Sequence, residues 1–193
     1  MTSLLLLLEE LVDADFGATD LHAVRKSLGA RGDSSADPAV EAKAFLDALA
    51  IVQRRTPAQV YVWAGTRLAA PVAKLLPKLT KGHTSTRSML LQMTQMANML
   101  AAELLPESTC PDFWADYLDG ETVRIGFDGP REVAWVLEGA VKGLGTHFSE
   151  RVDVSLPDAP AGLLERRLVD VKVRQERRSS RPTSGLSAAG SRS

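Results

Sequence analysis

"VRIGFDGPRE", Val123 to Glu132, decides the fold. Val123, Ile125 and Phe127 alternate with Thr122, Arg124 and Gly126, the two-residue period of a strand with one buried face. Gly129 and Pro130 break that pattern, and proline suits the opening of a helix. The period then lengthens, and Val133, Val136, Leu137, Ala140, Val141 and Leu144 predict a helix to about Thr146 with one apolar side. A strand feeding a helix N-terminus presents unpaired backbone N–H groups and a partial positive charge. Arg131, in the first turn, makes the junction a candidate site for a carboxylate or phosphate, because a guanidinium binds such oxygens in bidentate fashion. The simpler role for Arg131 is a surface ion pair with Glu132, Glu138 or a sheet carboxylate.

Outward from this stretch the pattern extends in both directions. Downstream, Val152, Val154 and Leu156 alternate, "PDAPAG" turns the chain, and Val169, Val171 and Val173 alternate again. Just upstream, Phe113, Ala115 and Tyr117 predict a short strand before a turn at "LDGE". Everything earlier reads as helix. Leu4, Leu7, Leu8 and Leu11 share one face of a helix from Leu4 to about Ala14. A segment from Asp20 to Leu28 ends at Gly29, and Pro38 opens a helix to about Arg54. "TPAQ", Thr56 to Gln59, is a capping box with proline at the first helical position, and Val60, Trp63, Ala64 and Leu68 follow on one side. Pro71 and Pro77 interrupt this pattern, and a long helix is expected from Thr86 to Leu105. Helices first, then strand, strand, helix, strand, strand: the plan is α+β, with an antiparallel sheet packed on one side by the helix that begins at Arg131.

The chain of 193 residues fits one domain of ordinary size. Its net charge of −1 conceals an asymmetry, since residues 174–193 hold five arginines against one glutamate, a net +4, leaving −5 on residues 1–173. A mildly acidic body argues against nucleic-acid binding. The Ser-, Gly- and Arg-rich stretch 174–193 has almost nothing to bury and reads as a disordered basic tail. The leucine run in "MTSLLLLLEE" is too short for a signal or a bilayer span and carries no preceding basic residue. A single cysteine, Cys110, excludes an internal disulfide and suits a reducing cytoplasm. No Gly-rich phosphate loop, nucleophile elbow, H-E-x-x-H or paired His/Cys set is present, so an enzyme is not expected. Asp13/Asp15 and Asp112/Asp116 read as solvated faces.

The arrangement resembles the heme nitric-oxide/oxygen-binding family (H-NOX, or HNOB). The resemblance spans nearly all of residues 1–173: "LVDADFG" is similar to the end of the family's first helix, "RRTPAQVYVWAGTRL" to a mid-domain helix, and the Met-rich stretch to the helix bearing the proximal histidine. "EVAWVLEGAVKGLGTHFSERVDV" resembles the family's later helix and its glycine-bearing turn into the next strand. Members carry Tyr-x-Ser-x-Arg at the strand-to-helix junction, and those side chains hold the heme propionates. Here the frame is "FDGPR", so Phe127, Gly129 and Arg131 stand at the three positions. Counting back from Phe127 to the position of the proximal histidine reaches Asn98 in "TQMANMLAAEL", whose amide is a weak iron ligand. Pro111 falls where the family keeps a proline against the heme face.

The resemblance implies heme as cofactor, no catalytic residues, and output to a separate signalling partner such as a kinase or cyclase. Phe127 and Gly129 lack the two hydroxyls, each worth about 1.5–3 kcal/mol as a hydrogen bond to a charged propionate. With the histidine absent as well, the expected function is a heme-pocket sensory domain whose heme binding is weak or lost. The alternative is a heme-free domain of the same fold that works by protein interaction or by holding another apolar ligand. The axial candidates are Met96, Met99 and Cys110, each of which equally suits a core. His83 belongs to a loop, His22 to an early helix, and His147 to a helix end where its positive form favours the dipole.

Overall fold

The computed structural model describes residues 4–29, 37–75, 77, 81–92, 95, 97, 113–157 and 166–175. Four helices come first: α1 (Leu4–Phe16), α2 (Ala18–Gly29), α3 (Pro38–Val52) and α4 (Pro57–Leu75). A single turn, α5 (Thr86–Leu90), follows. Then come β1 (Phe113–Tyr117), β2 (Thr122–Asp128), α6 (Arg131–Phe148), β3 (Glu150–Ser155) and β4 (Arg166–Gln175). The expected α+β order is the observed one, and the strands form one antiparallel sheet in the order β1-β2-β4-β3.

Local chemistry explains most boundaries. Gly17, at φ +89, donates its N–H to Val12 and Asp13 and ends α1, a conformation favouring glycine. Asp37 caps α3 by accepting from Ala39 N, with Pro38 behind it. The capping box forms as read: Thr56 N donates to Gln59 Oε1 at 3.0 Å, and Gln59 N to Thr56 Oγ1 at 3.3 Å. The left-handed residue in the turn from α6 to β3 is Ser149, at φ 55, so this turn is not made by a glycine.

Three expectations need correction. Pro71 does not stop α4, which continues to Leu75. A proline inside a helix deprives the carbonyl four residues back, Arg67, of its donor. Here α4 is held against α6 along this length, so tertiary packing outweighs that loss. The long helix expected from Thr86 is interrupted by a turn at Leu91 and Gln92; Gln95 and Ala97 are again helical, and Asn98 and most of residues 93–112 lie outside the described residues. The sheet continues to Gln175, two residues past the expected limit of 173, while residues 176–193 lie outside the described residues.

Two cores result. Val123, Ile125, Phe127, Val169 and Val171 of the sheet pack with Ala134, Leu137, Val141 and Leu144 of α6 and Met89 and Leu90 of α5. The second core is helical, built from Leu8, Val12, Val24, Phe45, Leu49, Val60, Tyr61 and Ala64, with Trp63, Trp135 and Val136 against it. Trp63 Nε1 and Arg67 both donate to Asp15, tying α4 to α1, so Asp15 is a structural carboxylate. The outer face of the sheet carries the bidentate Arg124–Asp170 pair at 2.7 and 2.8 Å, and Trp114 laid across Gly126.

The two cores meet where α4 crosses α6. A Cβ at Gly65 would overlap the Val136 carbonyl oxygen, one at Gly139 the Val62 carbonyl oxygen, and one at Gly143 would press on Ala69 and Thr66. Only glycine permits this backbone approach. Gly139→Ala is expected to lower stability by about 2–3 kcal/mol in urea unfolding, the cost of overpacking against unyielding backbone. Gly120→Ala, with open space around it, should cost under about 1 kcal/mol.

Candidate functional site: the strand-to-helix junction

β2 delivers Phe127 into the sheet core and α6 begins four residues later. Phe127 is 1% exposed, and its ring lies 5.1 Å from that of Phe113. Gly129 has no side chain to offer. Pro130 is the N-cap and makes no side-chain cap, so it leaves first-turn backbone N–H groups without a local side-chain acceptor. Arg131 is exposed and spreads over the ring of Trp135, one turn on, at 5.5 Å from the centroid. Of the expected partners, Glu132 is taken by Lys43 at 3.2 Å and Glu138 by Lys142 at 2.6 Å. Across the sheet, the Cα partner of Phe127 is Arg167, whose buried Nε has no hydrogen-bond partner among the described residues.

The junction thus collects cationic donors and no hydroxyl at the three motif positions. Asn98, Pro111 and the axial candidates Met96, Met99 and Cys110 lie outside the described residues. Of the histidines, His22 and His147 are exposed, and His147 stands in the last turn of α6 with its ring edge-on to Phe148. Among the described residues no group of three or more His, Cys, Asp or Glu could hold a metal ion. Arg131 offers charge to a propionate, but Phe127 and Gly129 offer no neutral donor, so these residues do not fit the cradle of the Tyr-x-Ser-x-Arg pattern.

Beside the junction lies a network not anticipated from the sequence. Lys43 bonds Asp47 at 2.9 Å and reaches Glu132, while the Tyr61 hydroxyl donates to Asp47 at 2.9 Å. The hydrogen bond to Asp47 raises the Lys43 ammonium above its ordinary range. Burial, followed by the bond to Asp47, pushes the Tyr61 phenol well above its usual value. Lys43, Asp47 and Glu132 line a groove of about 480 Å³ with Ala50, Ile51, Arg55, Pro57 and Trp135, and Tyr61 is buried behind Asp47. The i,i+4 spacing of Arg131 and Trp135 was a usable signal for their stacking. Nothing in the sequence paired Lys43 with Glu132.

The architecture is that of an α+β domain with a helical first half and a four-stranded sheet. The model of the Haem-NO-binding family, HNOB, matches residues 4–156, and the chain belongs to that family. Among solved structures, an H-NOX protein from S. oneidensis in the Fe(II)NO ligation state aligns with TM-score 0.71 at 15% identity, over 89% of this chain and 98% of that one. A mutant of the same organism's protein in the Fe(II) state gives 0.73 at 15% identity, over 91% and 96%. A mutant H-NOX from T. tengcongensis gives 0.68 at 15% identity, over 86% and 93%. No match was found among curated proteins.

The Tyr61 shift carries a sign. A group whose folded pKa is raised contributes stability that is present below its unfolded value, about 10, and is lost as pH rises through the folded value. Thermal unfolding should therefore show Tm falling above about pH 10. Tyr61→Phe should flatten part of that fall, the Lys43 contribution persisting, and should cost about 1 kcal/mol at neutral pH through the lost hydrogen bond.

Proposed function

We propose that the chain is a sensory domain of the H-NOX fold whose heme binding is weak or lost, and whose output passes to a separate signalling partner such as a kinase or cyclase. One observation carries the reading. Of Phe127, Gly129 and Arg131, only Arg131 has a side-chain donor, and that side chain is exposed and stacked on Trp135. Holding a propionate would compete with this stacking, itself worth about 0.5–1 kcal/mol at an exposed site. Phe127 is built into the sheet core beside Phe113, so its position serves packing. Family membership supports the sensory class, and the absent hydroxyls and histidine support the loss of affinity.

The reading is tested by titrating purified protein with hemin and recording the absorbance spectrum beside an Arg131→Ala variant. The expected spectrum is no sharper than that of hemin with an unrelated protein, and Arg131→Ala leaves it unchanged. A sharp Soret band that Arg131→Ala weakens would contradict the reading and require an axial ligand. Met96, Met99 and Cys110 would then be substituted in turn to find it.

A further inference from the structure

The groove beside the junction has a floor that is chemically satisfied and a rim that is not. In the floor, Lys43 bridges Asp47 and Glu132, and Tyr61 completes Asp47. At one edge the lining residue Arg55 lies over the Phe16 ring at 5.2 Å; at the other, Arg131, just outside the lining, lies over the ring of the lining residue Trp135 at 5.5 Å. Neither guanidinium pairs with a carboxylate among the described residues. Between them the surface is apolar: Ala50, Pro57, the half-buried Trp135, and Ile51, which is 66% exposed. Part of the Arg55 placement is explained by the C-terminal end of α3, where a cation favours the dipole. That leaves Arg131 unexplained, because it stands at the positive end of α6.

We infer that this groove is a docking surface for an acidic segment of a partner protein, with an apolar side chain set on Ile51 and Trp135 and carboxylates meeting Arg55 and Arg131. The charge balance selects that occupant. Residues 1–173 carry −5, so an acidic partner finds little attraction elsewhere on the body, whereas in the groove Lys43 engages Asp47 and Glu132, and with Arg55 and the adjacent Arg131 the positive charges exceed the negative by one. The aromatic rings beneath them hold both guanidiniums extended, which lowers the ordering cost of binding. A tryptophan and an arginine side by side are the residue types that carry most binding energy at protein interfaces. Lys43 joins the two walls of the groove, pairing with Asp47 on α3 and Glu132 on α6. This inference rests on the reading that the domain signals through a partner, and it supplies the surface for it.

The test uses the full chain and a fluorescein-labelled peptide alternating glutamate with leucine and phenylalanine, beside a version with lysine for glutamate. Fluorescence anisotropy should show binding of the acidic peptide alone, weakening with salt. The Arg55→Glu/Arg131→Glu variant should weaken it by about tenfold or more, and the surface change Ile51→Ser should weaken it while leaving the circular dichroism unchanged. In a nitrogen-15 spectrum the Trp135 indole N–H should shift on peptide addition. Equal binding of both peptides, full binding by the double variant, or shifts confined elsewhere would overturn the assignment. So would sedimentation showing a dimer that buries Ile51 and excludes the peptide. The hemin titration is independent: tight heme binding would end the proposed function and leave the peptide result standing, and the reverse holds.

Discussion

The backbone contact between α4 and α6 is the constraint on which the rest of the molecule depends. Gly65, Gly139 and Gly143 remove the side chains that would otherwise hold the two helices apart. Because they touch, α6 faces both cores at once: Leu137, Val141 and Leu144 enter the sheet core while Trp135 and Val136 lie against the helical one. One helix with two apolar sides is what joins a helical half to a sheet half. The N-terminus of α6, and with it Arg131, is placed by this contact and by the Lys43–Glu132 bridge.

That placement separates the demands of fold from those of the site. The fold needs Phe127 as a core ring, glycines at the crossing and a capped start for α4, and the chain supplies all three. A propionate cradle of the Tyr-x-Ser-x-Arg kind needs hydroxyls, and neither Phe127 nor Gly129 carries one. A phenylalanine at 127 costs the core nothing, because the ring is what packs against Phe113. Fold and family are shared while the side chains at Phe127, Gly129 and Arg131 offer only a guanidinium, and fold and site can separate in this way when sites are grafted on scaffolds.

Much of the architecture was legible because it rests on short-range patterns. Alternation at Val123, Ile125 and Phe127 reports a one-sided sheet, and Thr56 with Gln59 reports a helix start, since both effects act over a few residues. Pro71 misled because a local rule met a tertiary contact: the α4–α6 packing is invisible to a reading of α4 alone. Arg131 was legible as the first-turn cation of α6, but its stacking partner was not singled out. The carboxylates it was expected to pair with are held by Lys43 and Lys142, and the competition with Lys43, 88 positions away, has no signature in sequence. The Lys43–Asp47–Tyr61–Glu132 network was missed for the same reason, since it joins three helices.

The most direct measurement of the central claim is the heme content of the chain as it comes from cells grown with excess heme precursor, by pyridine hemochrome assay against protein concentration. The account predicts heme far below one per chain in well-folded, monodisperse protein. One tightly held heme per chain would contradict it, and would mean that a ligand and a propionate contact beyond the three motif positions replace those the sequence has lost.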